Sequence, residues 1–167
     1  MIWIHNLPIP PSANVMYETG ARKVIKMNKK GKQYEGFKTS RRRSDALIHF
    51  QAQLKSFYNL NYAKLDLIKA ELNRWIESGY VIKMDSYVAF EHTRVWSLEN
   101  QPKKIDADNR RKALQDSLTE VLEIDDKWIY AGNMEKVTCS TKEEEQCIVS
   151  FEAMKPKTIN DVKKRKG

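Results

Sequence analysis

The spacing of hydrophobic and polar positions changes several times along this chain, and each change marks an element. Trp3-Ile4-His5-Asn6-Leu7 reads as a short strand, and Pro8-Ile9-Pro10-Pro11-Ser12 then imposes an extended, helix-free turn. Residues 19–33 are polar and basic, broken by Gly20 and Gly31, and suit a surface loop or hairpin. From about Tyr34 to Tyr58 the pattern turns helical: Leu47, Phe50, Leu54 and Phe57 share one face, with Arg41, Arg42 and Arg43 extending the charged side. A second amphipathic helix carries Leu65, Ile68, Leu72, Trp75 and Ile76, and Gly79 ends it. Both stripes are explained as core or interface surface, with no cofactor required.

The second half returns to strand-like composition. Tyr80–Met84 and Ser86–Glu91 are rich in β-branched and aromatic residues. A helix is expected over Asn109–Glu123 on the stripe Ala113, Leu114, Leu118, Val121 and Leu122, followed by an extended segment from Trp128 to Tyr130. Glu135–Thr141 and Gln146–Ala153 read as a final hairpin whose turn holds Glu143, Glu144 and Glu145. Strands mixed with helices, without strict alternation, predict an α+β fold: one domain with a small mixed sheet packed against helices.

Composition narrows the class. The chain has 167 residues, 41% of them hydrophobic, which suits one globular domain with a real core. No stretch approaches the roughly 20 apolar residues of a membrane span, and no basic segment followed by an apolar one marks a secretory signal. Cys139 and Cys147 flank the acidic turn and could face each other across the hairpin, but free thiols are the expected state. His5, His49 and His92 are scattered and form no ligand cluster with cysteine.

Charge changes the picture more. The net charge of +8 divides unevenly: residues 1–44 hold ten Lys/Arg against two acids, residues 45–154 hold 14 against 19, and residues 155–167 hold six against one. Two basic ends around an acidic centre suit a polyanion such as a phosphate backbone, although solvated lysine-rich ends explain the charge equally well. The acids at the centre are more telling. Asp106 and Asp108, two apart on an extended segment, project to one face, where two carboxylates repel unless a hard cation sits between them. Asp126 lies past a helix of about 22 Å, so a short return strand must bring it back. Lys112 is four residues from Asp108 and shares its helical face, as an ion-pair partner or as a cation for phosphate charge. Asp108 as a helix cap and Asp125-Asp126 as a polar turn are the plainer readings.

Two blocks give these acids a context. Leu7-Pro8-Ile9-Pro10-Pro11-Ser12-Ala13-Asn14-Val15-Met16-Tyr17, then a basic loop and Gly31-Lys32-Gln33-Tyr34, precede Asp106-Ala107-Asp108-Asn109-Arg110-Arg111-Lys112 and Asp125-Asp126. Their order and spacing resemble the RusA family of Holliday-junction resolvases. The resemblance implies a small α+β homodimer that cuts four-way DNA junctions symmetrically with Mg²⁺ or Mn²⁺ in DNA recombination and repair. Carried over by position, Asp106, Asp108 and Asp126 hold the metal and Lys112 is the essential lysine. Asn14, Lys29, Lys30, Lys32, Lys103, Lys104, Arg110 and Arg111 are the DNA-binding candidates. The chain departs from the family pattern at Trp128, where Gln is common, at Ala13, where Asn is frequent, and in an extra helical insertion at about residues 59–79. Residues 1–154 are expected to form the nuclease domain and 155–167 a basic tail. Such an enzyme belongs in the bacterial cytoplasm or nucleoid, from a bacterial, phage or prophage source. The contrasting readings are a branched-DNA binding protein with little or no nuclease activity, and a basic assembly protein whose acids are caps and turns.

Overall fold

The computed structural model describes residues 1–12, 15–29, 31–99, 101–103 and 108–157, apart from the side chains of Arg22, Tyr34, Lys38, Arg41, Asp108 and Asn109. In chain order its elements are β1 (Ile2–Leu7), β2 (Tyr17–Met27), β3 (Gln33–Arg43), α1 (Asp45–Leu60), α2 (Tyr62–Glu77), β4 (Val81–Glu91), α3 (His92–Val95), α4 (Asp108–Leu122), β5 (Ile129–Ala131), β6 (Met134–Cys139) and β7 (Gln146–Met154). The 3₁₀ turn Asp126–Trp128 lies between α4 and β5, and the 3₁₀ turn Lys142–Glu144 lies between β6 and β7.

β4 is the centre of a mixed sheet. One of its edges pairs antiparallel with β7, which pairs antiparallel with β1, while the other edge pairs in parallel first with β5 and then with β6. The core is one cluster in which Ile82, Met84, Val88 and Phe90 of β4 meet Cys147, Val149 and Phe151 of β7 and Ile4 of β1. The long helices add Leu47, Phe50 and Leu54, then Leu65, Ile68 and Leu72, then Ala113, Leu114, Leu118 and Leu122. Each such side chain removed from water contributes up to about 1.5–3 kcal/mol. The α+β reading therefore holds, and α2, expected as an insertion, contributes Leu72 to the interior with no exposed surface.

Two sequence expectations need correction. Arg41, Arg42 and Arg43 do not begin a helix. They end β3, which pairs with β2 in a separate two-stranded ribbon of eleven opposed residue pairs. Ser44 makes the switch: its main-chain N–H donates to the Met16 carbonyl at 2.9 Å, and its hydroxyl caps α1 by accepting from the Leu47 N–H at 3.2 Å. Helical periodicity around Leu47 cannot reveal a strand partner that lies more than twenty residues earlier.

Nor do β6 and β7 form a hairpin; they lie on opposite edges of β4. The acidic stretch between them is a crossover over the end of β4. Glu144 accepts from the Ser140 and Thr141 N–H groups, and Glu145 accepts from the Glu91 N–H at 3.0 Å and pairs with Arg94 at 2.5 Å. Cys139 and Cys147 are consequently separated by β4, and both are free. Between β5 and β6 stands Gly132 (φ 153°), where a Cβ would lie 1.8 Å from the Met84 carbonyl oxygen. Asn133 beside it receives the Ser86 N–H and donates its own N–H to Asp85 at 3.0 Å.

Among the described residues, no helix is long and apolar enough to cross a membrane.

Candidate active site

α4 is the element that places the candidate residues. Its buried side, Ala113, Leu114, Ser117, Leu118 and Leu122, faces the core, so Lys112 and Asp116 fall on the outward side. Asp108 is its first residue, one turn before Lys112. Lys112 Nζ lies 3.3 Å from Asp116 Oδ2, one turn further along the helix.

The return of Asp126 depends on how α4 ends. Glu123 adopts a left-handed conformation (φ 53°), its N–H bonds to the Glu120 carbonyl, and the Ile124 N–H reaches the Thr119 carbonyl at 3.0 Å. This is the double hydrogen bond of a Schellman terminus, usually built on glycine. Ile124 is buried, and Asp125 then caps the 3₁₀ turn by accepting the Lys127 N–H at 3.1 Å. The chain thus turns back along α4, and Asp126 lines a depression of about 280 Å³ with Arg111, Lys112, Gln115 and Asp116. A capped turn, and not the strand after it, brings the acid back.

The adjacent acids differ in employment. Asp125 also pairs with the Lys127 ammonium at 2.6 Å, which holds its carboxyl below the usual carboxylate range. Lys127 in turn lies 5.8 Å from the Trp128 ring centre. Asp125 thus shapes the turn, whereas Asp126 faces the depression.

The basic candidates separate in the same way. Arg111 lines the depression. Arg110 is half-buried, donates from Nη1 to the Pro10 carbonyl at 2.5 Å, and stands 5.3 Å from the Phe90 ring centre. Lys103 donates from Nζ to the Thr93 carbonyl at 2.7 Å. Lys29 and Lys32 are exposed at the ribbon tip, where Asn28 accepts the Lys32 N–H and Gly31 (φ 75°) makes the turn. Asn14, Lys30, Lys104 and Asp106 lie outside the described residues, as do the Asp108 side chain and residues 158–167.

Asp116 and Gln115 were missed by the sequence reading. The signal for Asp116 was its i,i+4 spacing from Lys112, the same spacing used in the other direction for Asp108. The donors lining the depression are carboxylate and amide oxygens, with no imidazole or thiol, and that chemistry fits a hard cation such as Mg²⁺ or Mn²⁺. Among the described residues no three acid, His or Cys side chains are grouped to hold an ion. A larger cavity of about 530 Å³ between α1 and α4 is lined by Ile48, Ala52, Tyr58 and Val121, and its acids Glu120 and Glu123 are tied to Arg43 and Lys69.

A family model described as endodeoxyribonuclease RusA matches residues 8–145. The chain belongs to the RusA endodeoxyribonuclease family. The RusA match begins just after β1, includes the first motif block from Pro8 onward, α2 and the second block, and ends at Glu145, which closes the crossover onto β4. Membership makes the chain one of the Holliday-junction resolvases, a family that binds branched DNA. No curated protein matches the chain in a sequence search.

Proposed function

We propose that this RusA-family chain resolves four-way DNA junctions by metal-dependent hydrolysis of paired phosphodiesters during recombination and repair. The observation that carries the reading is the return of Asp126 to the face of α4 that bears Lys112. A fold alone has no need of this arrangement, since it sets an exposed acid against an outward helical face.

In this reading Asp106, Asp108 and Asp126 hold Mg²⁺ or Mn²⁺, with Asp116 beside them. The cation, when bound, lowers the pKa of a water and neutralises charge on the scissile phosphate. Lys112 places its ammonium where charge accumulates on the phosphate oxygens, and its pairing with Asp116 limits the directions that ammonium can take. Arg111 supplies a second cation on the same surface. Arg110 acts at one remove by fixing α4 to the Pro10 loop. Lys29, Lys30 and Lys32 at the ribbon tip, together with the basic residues 155–167, extend the contact along the phosphate backbone.

Paired incisions on a two-fold symmetric junction call for two sites related by the same symmetry, hence a homodimer. Residues 1–154 act as the nuclease domain, working with DNA in the bacterial cytoplasm or nucleoid.

The test is cleavage of a mobile four-way junction and a matched linear duplex, with Mg²⁺, Mn²⁺ or EDTA, beside Asp126→Asn. Metal-dependent paired nicks on the junction alone, absent from the variant, support the proposal. Cutting of both substrates removes junction selectivity, and tight junction binding without cutting makes the chain a branched-DNA binding protein.

A further inference from the structure

α3 and the loop that follows it form a concave site of their own. The His92 and Trp96 rings stack at 6.3 Å between centres, with planes 23° apart. Together with Thr93, Ser97, Leu98 and Lys103 they line a depression of about 260 Å³. The loop is closed on itself: the Ser97 N–H donates to the Gln101 carbonyl at 2.9 Å, the Gln101 N–H to Ser97 Oγ at 3.1 Å, and the Lys103 N–H to the Val95 carbonyl at 2.7 Å. The bond from Lys103 Nζ to the Thr93 carbonyl keeps the ammonium at this depression.

We propose that this depression is a subsite for one unpaired nucleotide of the substrate, with its base stacked against the Trp96–His92 pair and its phosphate on Lys103. The proposal rests on the DNA-cleaving function argued above. Three observations carry it. An aromatic platform beside a lysine is the chemistry that binds single-stranded nucleotides irrespective of sequence. The volume is just under the roughly 300 Å³ at which small-molecule pockets begin, which suits one base and not a run of them. Lys103 is three residues before Asp106, so chain length alone keeps their Cα atoms within about 11 Å. A nucleotide held here therefore neighbours the phosphate presented to the acids. Bases within a continuous duplex are stacked on each other and offer no free face, whereas a branch point does. The subsite would make that difference a basis for selectivity.

Trp96 also packs against the core, so the test must separate stacking from support. In EDTA, the full chain is titrated with a fluorescent oligothymidylate of about eight nucleotides and, separately, with linear duplex. Trp96→Leu, which keeps an apolar side chain, is expected to weaken oligothymidylate binding by about tenfold with duplex affinity and melting temperature unchanged. Trp96→Phe should restore most of the loss. His92→Ala, at an exposed position, should weaken binding in the same selective way. Lys103→Gln should lower the salt slope for the oligothymidylate by about 0.7. Wild-type affinity in both Trp96→Leu and His92→Ala, or an equal loss for duplex, overturns the subsite. Oligothymidylate binding through Trp96 in a chain that cuts no junction keeps the subsite and removes the nuclease. Junction cutting with binding indifferent to Trp96 does the reverse.

Discussion

Arg110 donates to the carbonyl of Pro10 across one hundred residues of chain, and this bond ties the proline-rich opening block to the first turn of α4. On the way its guanidinium lies against Phe90, a fully buried ring that Arg94 also approaches, at 5.0 Å. An arginine in a basic run next to a metal motif is naturally read as a phosphate contact. Its bond to Pro10 points inward and holds α4 to the opening block.

Arg110→Met should therefore cost about 1–3 kcal/mol of stability by leaving the Pro10 carbonyl without its donor. For a chain of this size that is a fall of roughly 2–10 °C in melting temperature. Turnover should fall with it, while junction affinity in EDTA changes little. Unchanged melting with weakened binding would instead make Arg110 a DNA contact.

Asp126 and Asp116 should separate kinetically. Asp126→Asn is expected to lower cleavage by about a hundredfold or more, the scale of losing one catalytic electrostatic group, with binding in EDTA kept or improved. Asp116→Asn frees Lys112 from its partner and should reduce turnover by only a few-fold at unchanged melting temperature, read by single-turnover cleavage.

Glu123 sits in a conformation that L-residues adopt at a cost of about 1 kcal/mol. Glu123→Gly should relieve that strain and raise the melting temperature by about 2 °C, despite losing the solvated pair with Lys69. Lys69→Met alone, measured by the same thermal scan, isolates the contribution of the pair.

Gly132→Ala should be the most damaging single-methyl change in the sheet, because the added carbon meets the main chain of Met84. A loss of at least about 3 kcal/mol is expected, visible as a lower urea midpoint at unchanged slope.

Acid should weaken the turn that carries Asp126. The Lys127 ammonium lowers the Asp125 pKa, and the Lys69 ammonium lowers that of Glu123. A carboxylate whose folded pKa is depressed adds stability that is fully present above its unfolded value and is lost as pH falls through the folded value. Lys127→Met should accordingly reduce urea stability at neutral pH and have no effect below the carboxylate range. An equal effect at both ends would show that the pair is not the cause.

The three long helices were legible, though not where α1 starts, because each repeats its buried residues every three or four places. Leu47, Phe50 and Leu54, then Leu65, Ile68 and Leu72, carry that signal without help from distant chain, and Gly79 (φ 80°) ends α2 as glycine should. The β3 strand was hidden because Arg41, Arg42 and Arg43 owe their extended form to Thr19, Glu18 and Tyr17 opposite them. β6 and β7 were misjoined because β4, which lies between them, comes more than forty residues earlier. The candidate acids were visible by type and spacing. The way Asp126 returns to α4 was not, since it turns on a left-handed glutamate where glycine would have announced the turn.

The β2–β3 ribbon sets a length scale. Eleven extended residues span about 37 Å, slightly more than one turn of B-DNA at roughly 34 Å. If the ribbon lies along a duplex arm, its tip lysines reach phosphates a full turn from where the ribbon joins the body at Met16 and Ser44. The shadow this small chain casts on DNA, as hydroxyl-radical protection would record it, then extends well beyond the dimensions of its packed core.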